Sequence, residues 1–207
     1  MTAETPPPSP RRRPKGDKRA RTRAWLIEVA ALLVEEKGYE GATLQEVARR
    51  AGMSNGAVYG NFKNREDLFA QIGPTYWPQV SVDIAPGATL AELMAAWAEG
   101  LLAVMPVRAR RGAGRLKGLA YALGNPGLRE RAVTRAETLY AGAADWLTRT
   151  LADPQALPMP PVTFARVLGS LTEGLTLQRL LTPELISDET IRSAFAALAG
   201  EAPPRDR

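Results

Sequence analysis

The sequence predicts an all-α protein, and three observations support this fold class. Apolar residues recur at helical spacing almost continuously from Arg19 onward, without the alternation that β-strands require. Aromatic residues, which favour strands, make up only 6% of the 207 residues. Prolines cluster between the helical segments, where helices are expected to end. We expect about nine helices, divided between a small N-terminal domain and a larger one that follows it.

Composition excludes several classes of function. The chain contains no Cys and no His, which excludes a disulfide framework and a zinc site of the usual kind. Catalysis by Cys–His or Ser–His pairs is excluded for the same reason. We therefore expect a protein that is not an enzyme, that binds no metal and no cofactor, and that works in the cytoplasm.

The positive charge is concentrated at the N-terminus. Residues 1–23 contain eight Lys and Arg against two acidic residues, a net charge of +6, whereas the whole chain sums to +5. Such a basic segment indicates a polyanionic partner, either nucleic acid or anionic lipid. Because no apolar run approaches the roughly 20 residues that span a bilayer, we expect no membrane partner.

The first helix is predicted from about Lys18 to Lys37. Apolar residues between Leu26 and Leu33 recur at intervals of three and four, so they form one stripe that faces a core. Gly38 follows directly and suits the left-handed residue just past a helix end. The preceding segment, residues 1–18, is rich in Pro and Arg and is predicted to be a disordered basic tail.

Three short helices follow, and each has a recognisable N-cap. Thr43 and Glu46 have the spacing of a capping box that begins the second helix, which ends at Gly52. Ser54 caps a third helix that extends to Tyr59 or Phe62. Asn64 caps a fourth.

The second and third helices predict a helix-turn-helix unit, because two short helices are joined by a turn that contains a glycine. In such a unit the second helix lies in the major groove of DNA, and its N-terminal residues contact base edges. From these residues alone a plain helical hairpin remains the alternative, since caps and glycine turns occur in many helical proteins.

Residues 24–70, above all the segment TLQEVARRAGMSNGAVYGNFKNREDLF, resemble the DNA-binding domain of the TetR family of bacterial transcriptional regulators. The matched positions are spread over about 45 residues at fixed spacing. They are Gly38, Tyr39, Thr43, Val47, Ala48, Ala51, Gly52, Ser54, Gly56, Tyr59, Phe62, Asn64 and Glu66. The rest of the chain resembles the family only in length, helical character and a C-terminal segment.

The resemblance implies two kinds of DNA contact. The residues implied to contact phosphates are Thr43, Tyr59, Lys63 and Arg65, and those implied to reach base edges are Ser54, Asn55, Ala57 and Asn61. Gly56 and Gly60 of the same helix are also expected at the DNA surface. The sequence departs from the family at Gly60, where a larger side chain is frequent, and at Asn55, where Lys is common. Gly56 and Gly60 each cost roughly 0.5–1 kcal/mol relative to Ala, so the isolated recognition helix is predicted to fray.

The basic tail has three open interpretations. It is a solvated end without a role, an arm that follows the minor groove or neighbouring phosphates, or a source of nonspecific attraction to DNA. We divide the chain into this tail at 1–18, a helix-turn-helix domain at 19–72, a helical regulatory and dimerisation domain at 75–200, and a disordered tail at 201–207.

Five helices are predicted in the second domain, at about 88–105, 107–123, 126–152, 160–181 and 187–199. The helix at 160–181 has two adjacent apolar stripes. Its polar residues are expected on the opposite face: Arg166, Thr172, Glu173, Thr176 and Arg179. A second stripe with small residues suggests close approach of another helix, although both stripes could be covered within one subunit.

The segment LGSLTEGLTLQRLLTPEL resembles the dimerisation helix of the family. This resemblance implies a homodimer joined by a four-helix bundle from the last two helices of each subunit. The interface residues expected are Val167, Ser170, Gly174, Leu177, Leu181, Ile191 and Phe195.

The resemblance also implies a ligand pocket between the two ends of the chain. The candidates are Met94, Trp97, Leu101, Met105, Leu116, Tyr121 and Trp146, although such residues at helical spacing are more often simple core. The nearly neutral charge of residues 24–207 favours an apolar or aromatic effector. A ligand that binds best when the two recognition helices are badly spaced must weaken DNA binding, by linkage.

These inferences combine into one expected function. We expect a homodimeric repressor that binds a palindromic operator on double-stranded DNA and is released by a small-molecule effector. The alternatives are an enzyme with an attached DNA-binding domain, and an architectural protein that binds DNA without sequence preference.

Overall fold

The computed structural model describes residues 15–200 of the 207. This part of the chain contains eight α-helices and one short 3₁₀ turn at Pro154–Ala156, which agrees with the predicted all-α class. The helices are α1 (Lys15–Gly41), α2 (Leu44–Ala51), α3 (Asn55–Tyr59), α4 (Arg65–Tyr76), α5 (Leu90–Leu123), α6 (Pro126–Thr150), α7 (Pro161–Leu181) and α8 (Asp188–Leu198). The predicted tails fall outside the described residues, except that residues 15–18 belong to α1.

Helix α1 begins three residues earlier than predicted and bends at a glycine near its end. Gly38 has a φ of 74° and a ψ of 172°, so it adopts the positive φ that its position suggested. The chain then makes one further turn to Gly41 before α2 starts. This bend brings Tyr39 back against α4 and α5, where its ring contacts Phe69 and Tyr121.

The prediction of two helices at 88–105 and 107–123 was wrong, because α5 runs without interruption through Pro106. A proline inside a helix removes one backbone hydrogen bond, and the cost is moderated where water can reach the freed carbonyl group. Pro106 is exposed. Buried side chains lie on both sides of it, at Met105 and Arg108, so packing holds the helix together across the proline.

Two hydrophobic cores organise the described residues. The first is formed by α1–α4 and is centred on fully buried residues such as Leu26, Leu33 and Leu68. The second is formed by α5–α8 and contains Leu101, Phe164 and Phe195. Helix α5 belongs to both regions, because its C-terminal half packs on α1 while the rest packs on α7 and α8.

By length and composition alone, one helix in the described part of the chain, α5, is long and apolar enough to cross a membrane. A long core helix meets the same criteria. Helix α5 buries Leu93, Met94 and Leu101 in the second core, so its apolar character is used in packing within the protein.

Candidate nucleic-acid interface

Helices α2 and α3 form the turn that the sequence predicted. The Thr43 hydroxyl accepts from the backbone N–H of Glu46 at 3.2 Å, and the Ser54 hydroxyl accepts from that of Ala57 at 3.2 Å. Gly52 ends α2 with a φ of 68°. This left-handed residue turns the chain sharply enough for α3 to pack across α2.

Helix α3 is anchored by one side chain and exposes most of the others. Val58 is completely buried, whereas Ser54, Asn55 and Gly56 are exposed and Ala57 is half-buried. Tyr59 has 57% of its surface exposed, which is unusual for a large aromatic residue. A short helix held from one side therefore presents a polar face and an aromatic hydroxyl to solvent.

The C-terminal end of α3 is held by two arginines of α1. A guanidinium nitrogen of Arg19 donates to the carbonyl oxygen of Gly60 at 3.1 Å, and Arg23 donates to that of Asn61. The Arg23 guanidinium also lies 4.3 Å from the centre of the Phe62 ring. Carbonyl groups at a helix end lack partners within the helix, and these two arginines supply them.

Sequence reasoning missed this role, because it treated the basic residues of α1 only as a positive charge near DNA. The sequence of α3 itself contained the signal that could have predicted this role. A helix of five residues that ends at a glycine leaves carbonyl groups which require donors from elsewhere. Arg19 and Arg23 are four residues apart on α1, so they lie on one face and can supply these donors together.

Two of the residues implied to contact DNA also form hydrogen bonds within the protein. The side-chain nitrogen of Asn61 donates one of its two N–H groups to the carbonyl oxygen of Ala57 at 2.8 Å. Arg65 donates to the carbonyl oxygen of Ala42 and to the Tyr121 hydroxyl, both at 2.9 Å. Arg65 thus joins α4 to α1 and α5, and its contact with a phosphate stays a prediction.

The remaining implied DNA contacts lie on one exposed surface. Thr43, Ser54, Asn55, Gly56, Tyr59, Gly60 and Lys63 are all exposed, with Ala57 half-buried among them. We call this surface the α2–α3 face. No acidic side chain belongs to this set, so the face suits contact with a polyanion.

A cluster of charges supports α2 beside this face. The Glu46 carboxylate accepts from Lys37 at 2.9 Å and from Arg49 at 2.8 and 2.9 Å, instead of completing the predicted capping box with the N–H of Thr43. Hydrogen bonds from Arg49, and then from Lys37, lower the pKa of Glu46 to about 2. Arg50 is paired separately with Glu36 of α1.

This lowered pKa predicts a pH dependence of stability. Since the folded-state pKa of Glu46 lies below its ordinary value of 4.5, its contribution is complete above that pH and is lost as the pH falls towards 2. We expect Glu46→Gln to be less stable than the original protein at pH 6 and equally stable near pH 2. Urea unfolding as a function of pH measures this difference. Glu40→Gln, which removes an exposed carboxylate of α1, should show no such convergence.

The expected dimer residues divide into two groups in the structure. Val167, Ser170, Gly174, Leu177 and Leu181 lie along α7 and are exposed or half-buried, so they remain a prediction. Ile191 and Phe195 do not belong to that surface, because both are completely buried in the second core of the same subunit.

The side of α7 opposite its two apolar stripes is partly buried. Thr172 and Thr176 are only 4% and 2% exposed. The Thr172 hydroxyl accepts from the indole N–H of Trp97 at 3.0 Å, and that of Thr176 accepts from Arg108 at 2.8 Å. This side of α7 therefore forms hydrogen bonds with α5 inside the protein.

Most of the residues predicted to line a ligand pocket pack in the hydrophobic cores, and their role in a pocket stays a prediction. Met94 and Leu101 are completely buried and Met105 nearly so, while Trp97 and Trp146 pack against the same core. Tyr121 stacks on Tyr39 with ring centres 4.7 Å apart. Leu116 lies partly exposed on α5. A cleft of about 860 Å³ exists elsewhere, between α4, α5 and α6, and it is lined by other residues.

The capped helix α2, the left-handed Gly52 and the exposed helix α3 define a helix-turn-helix protein of the DNA-binding class. A family model described as "Bacterial regulatory proteins, tetR family" matches residues 26–72, which span α1 to α4. Over these residues the chain is similar to the TetR family of bacterial regulators. The proteins that match are named as transcriptional regulators.

Similarity to a curated protein covers a short part of the chain. The chain is 39% identical over 51 residues to the HTH-type transcriptional regulator AcrR of Shigella flexneri, which covers 25% of this chain and 24% of that protein. The chain thus matches about a quarter of the length of this curated relative.

Two solved structures extend the similarity to most of the fold. A transcriptional regulator from Rhodococcus sp. Rha1 is 26% identical, with a TM-score of 0.58, over 86% of this chain and 94% of that one. The regulator SmeT, solved in complex with triclosan, is 18% identical, with a TM-score of 0.56, over 86% of this chain and 90% of that one. The second of these similarities concerns the fold alone.

Proposed function

We propose that this protein is a transcriptional repressor that binds a palindromic DNA operator as a homodimer and is released by a small molecule. One observation carries the proposal: α3 buries only Val58 and exposes Ser54, Asn55 and Tyr59 on a surface without acidic side chains. These are the side chains through which a recognition helix contacts base edges and phosphates.

The dimer follows from the size of the recognition helix. A helix of five residues contacts too few base pairs to select one operator, whereas two helices about 34–36 Å apart read both halves of a palindrome. The exposed stripe on α7 from Val167 to Leu181 supports this proposal, since Ser170 and Gly174 permit close approach of a second helix. We expect sedimentation at micromolar concentration to give twice the mass of the chain.

The effector is proposed by comparison with a protein of the same fold. SmeT has been solved with triclosan bound. The cleft of this protein has a volume of about 860 Å³, within the range of roughly 300–1,000 Å³ that small-molecule sites occupy. We propose that the effector occupies this cleft and that it lowers operator affinity by linkage.

Tyr59→Phe provides a direct test of the α2–α3 face. The substitution keeps the ring and removes only the exposed hydroxyl, so we expect operator affinity to fall about tenfold if that hydroxyl bonds a phosphate. The measurement is a footprint on the DNA upstream of the protein's own gene, followed by titration of the protected site. Tyr140→Phe in the second domain is the matched control and should leave affinity unchanged.

The same experiment separates the alternatives. A protected palindrome supports the repressor, whereas retardation of every DNA sequence to the same extent favours the architectural protein. Equal affinities of the original protein and Tyr59→Phe would contradict the proposed contact.

A further inference from the structure

The cleft between α4, α5 and α6 has an apolar lining on all three helices. Its apolar residues are Phe69 and Ala70 of α4, Leu119 and Ala122 of α5, and Leu128 and Leu139 of α6. Leu119 and Leu139 have 42% and 59% of their surfaces exposed. Apolar side chains of this size that remain in contact with water would be covered by an apolar ligand body.

The charges on the cleft wall are predominantly positive. Arg115 of α5 and Arg131 and Arg135 of α6 line the cleft, against a single carboxylate, that of Glu130. The charged residues therefore sum to +2. An apolar cleft with an excess of guanidinium groups selects for a negative group on the ligand.

Two of these arginines retain donors for a ligand. The Nε of Arg115 is buried and has no hydrogen-bond partner. Arg135 forms no hydrogen bond or ion pair with any residue that the structure describes. Arg131 is held only loosely, with 3.8 Å between its nitrogen and an oxygen of Asp67. A buried donor without an acceptor is costly, and an anionic oxygen would supply the missing acceptor.

We propose that this cleft binds an organic anion with an apolar body, whose acidic group is held by Arg115 and Arg135. The proposal rests on the proposed function, since it names the chemical class of the effector. This class of ligand differs from the apolar or aromatic effector expected from the sequence. The positive charges are concentrated at the cleft, so the nearly neutral net charge of residues 24–207 did not reveal them.

Arg115 also connects the cleft to the end of α4. Its guanidinium lies 3.6 Å from the Glu173 carboxylate, which in turn accepts from the indole N–H of Trp77 at 3.2 Å. Trp77 directly follows α4, the last helix of the DNA-binding domain. An anion that binds Arg115 competes with Glu173 and so alters the contact between α4, α5 and α7.

The test uses two fluorescent probes that differ only in the acidic group. We expect the full-length protein to bind 1-pyrenebutyrate about tenfold more tightly than 1-pyrenebutanol, because the carboxylate forms charge-assisted hydrogen bonds that the alcohol does not. Arg135→Gln should remove most of this difference, because it weakens the binding of 1-pyrenebutyrate and leaves that of 1-pyrenebutanol unchanged. Arg129→Gln, which removes an exposed charge of α6 outside the cleft, should leave both affinities unchanged.

A third variant tests whether the probes bind in this cleft. Ala132→Trp places a large side chain in the cleft lining and should weaken both probes. Equal affinities for the two probes, or equal effects of Arg135→Gln and Arg129→Gln, would overturn the proposal. These titrations contain no DNA, so their failure is distinguishable from failure of the proposed repressor, which the footprint tests.

Discussion

Arg108→Ala is expected to lower the free energy of unfolding by about 3–5 kcal/mol, the range found when one member of a buried charged network is removed. Arg108 has only 2% of its surface exposed, although it is an arginine in the middle of a long helix. Its guanidinium donates to the carbonyl oxygen of Pro78 at 3.0 and 3.2 Å and to the Thr176 hydroxyl at 2.8 Å. It thereby joins α5 to α7 and to the segment after α4.

The physical reason is the cost of leaving buried groups without partners. Burial lowers the pKa of Arg108, which shows that its charge is held in an unfavourable environment. The Glu173 carboxylate at 3.5 Å and the Trp77 ring at 5.0 Å offset that cost. Alanine would remove the charge, but it would also leave the Pro78 carbonyl without its donor and an unfilled space between α5 and α7.

Urea unfolding monitored by circular dichroism measures this effect. Arg110→Ala is the matched control, because Arg110 is an exposed arginine of the same helix, and its loss should change stability by less than about 0.5 kcal/mol. The loss of stability in Arg108→Lys should lie between those of Arg108→Ala and Arg110→Ala, since one ammonium group cannot reproduce the planar guanidinium. A loss below about 1 kcal/mol for Arg108→Ala would show that the network contributes little.

Local signals in the sequence were sufficient to place the helix-turn-helix unit. A cap acts within three residues, so Thr43, Ser54 and Asn64 each specify a helix start that the structure reproduces. Gly38 and Gly52 specify positive φ values in the same local way. The helix-turn-helix domain was therefore predictable, because the ends of its helices depend on neighbouring residues.

Contacts between distant residues could not be predicted in this way. Arg108 and Thr176 are 68 residues apart, and a helical wheel of α7 alone places Thr176 only on the side opposite its apolar stripes. The wheel does not show that α7 packs against α5 as well as α6, or that its polar side meets a buried arginine. The hydrogen bond of Arg65 was missed for the same reason, since its partner Tyr121 lies 56 residues away.

The assignment of Ile191 and Phe195 to a dimer surface shows a second limit of prediction from sequence. An apolar stripe predicts burial, but it does not indicate whether the covering residues belong to the same subunit. In this chain α5 covers both side chains within the second core. The same ambiguity applied to Met94 and Leu101, which pack as core and were proposed as pocket residues.

Arg23→Ala is expected to weaken operator binding about tenfold at every salt concentration, with the salt dependence unchanged. Arg23 holds the carbonyl oxygen of Asn61 and stacks on Phe62, so its loss would free the end of a recognition helix that contains two glycines. The helix would then lose conformational entropy on binding DNA. One lost charge-assisted hydrogen bond corresponds to about a tenfold decrease in affinity.

The slope of affinity against salt separates this role from a direct DNA contact. A side chain that neutralises one phosphate contributes about 0.9 to the log–log slope, whereas a side chain that orders the protein contributes nothing. Lys18→Ala removes one exposed charge of the same helix and controls for charge alone. Hydrogen exchange of residues 55–61 without DNA should accelerate in Arg23→Ala and not in Lys18→Ala. A slope reduced by about 0.9 with unchanged exchange would instead place Arg23 on the phosphate backbone.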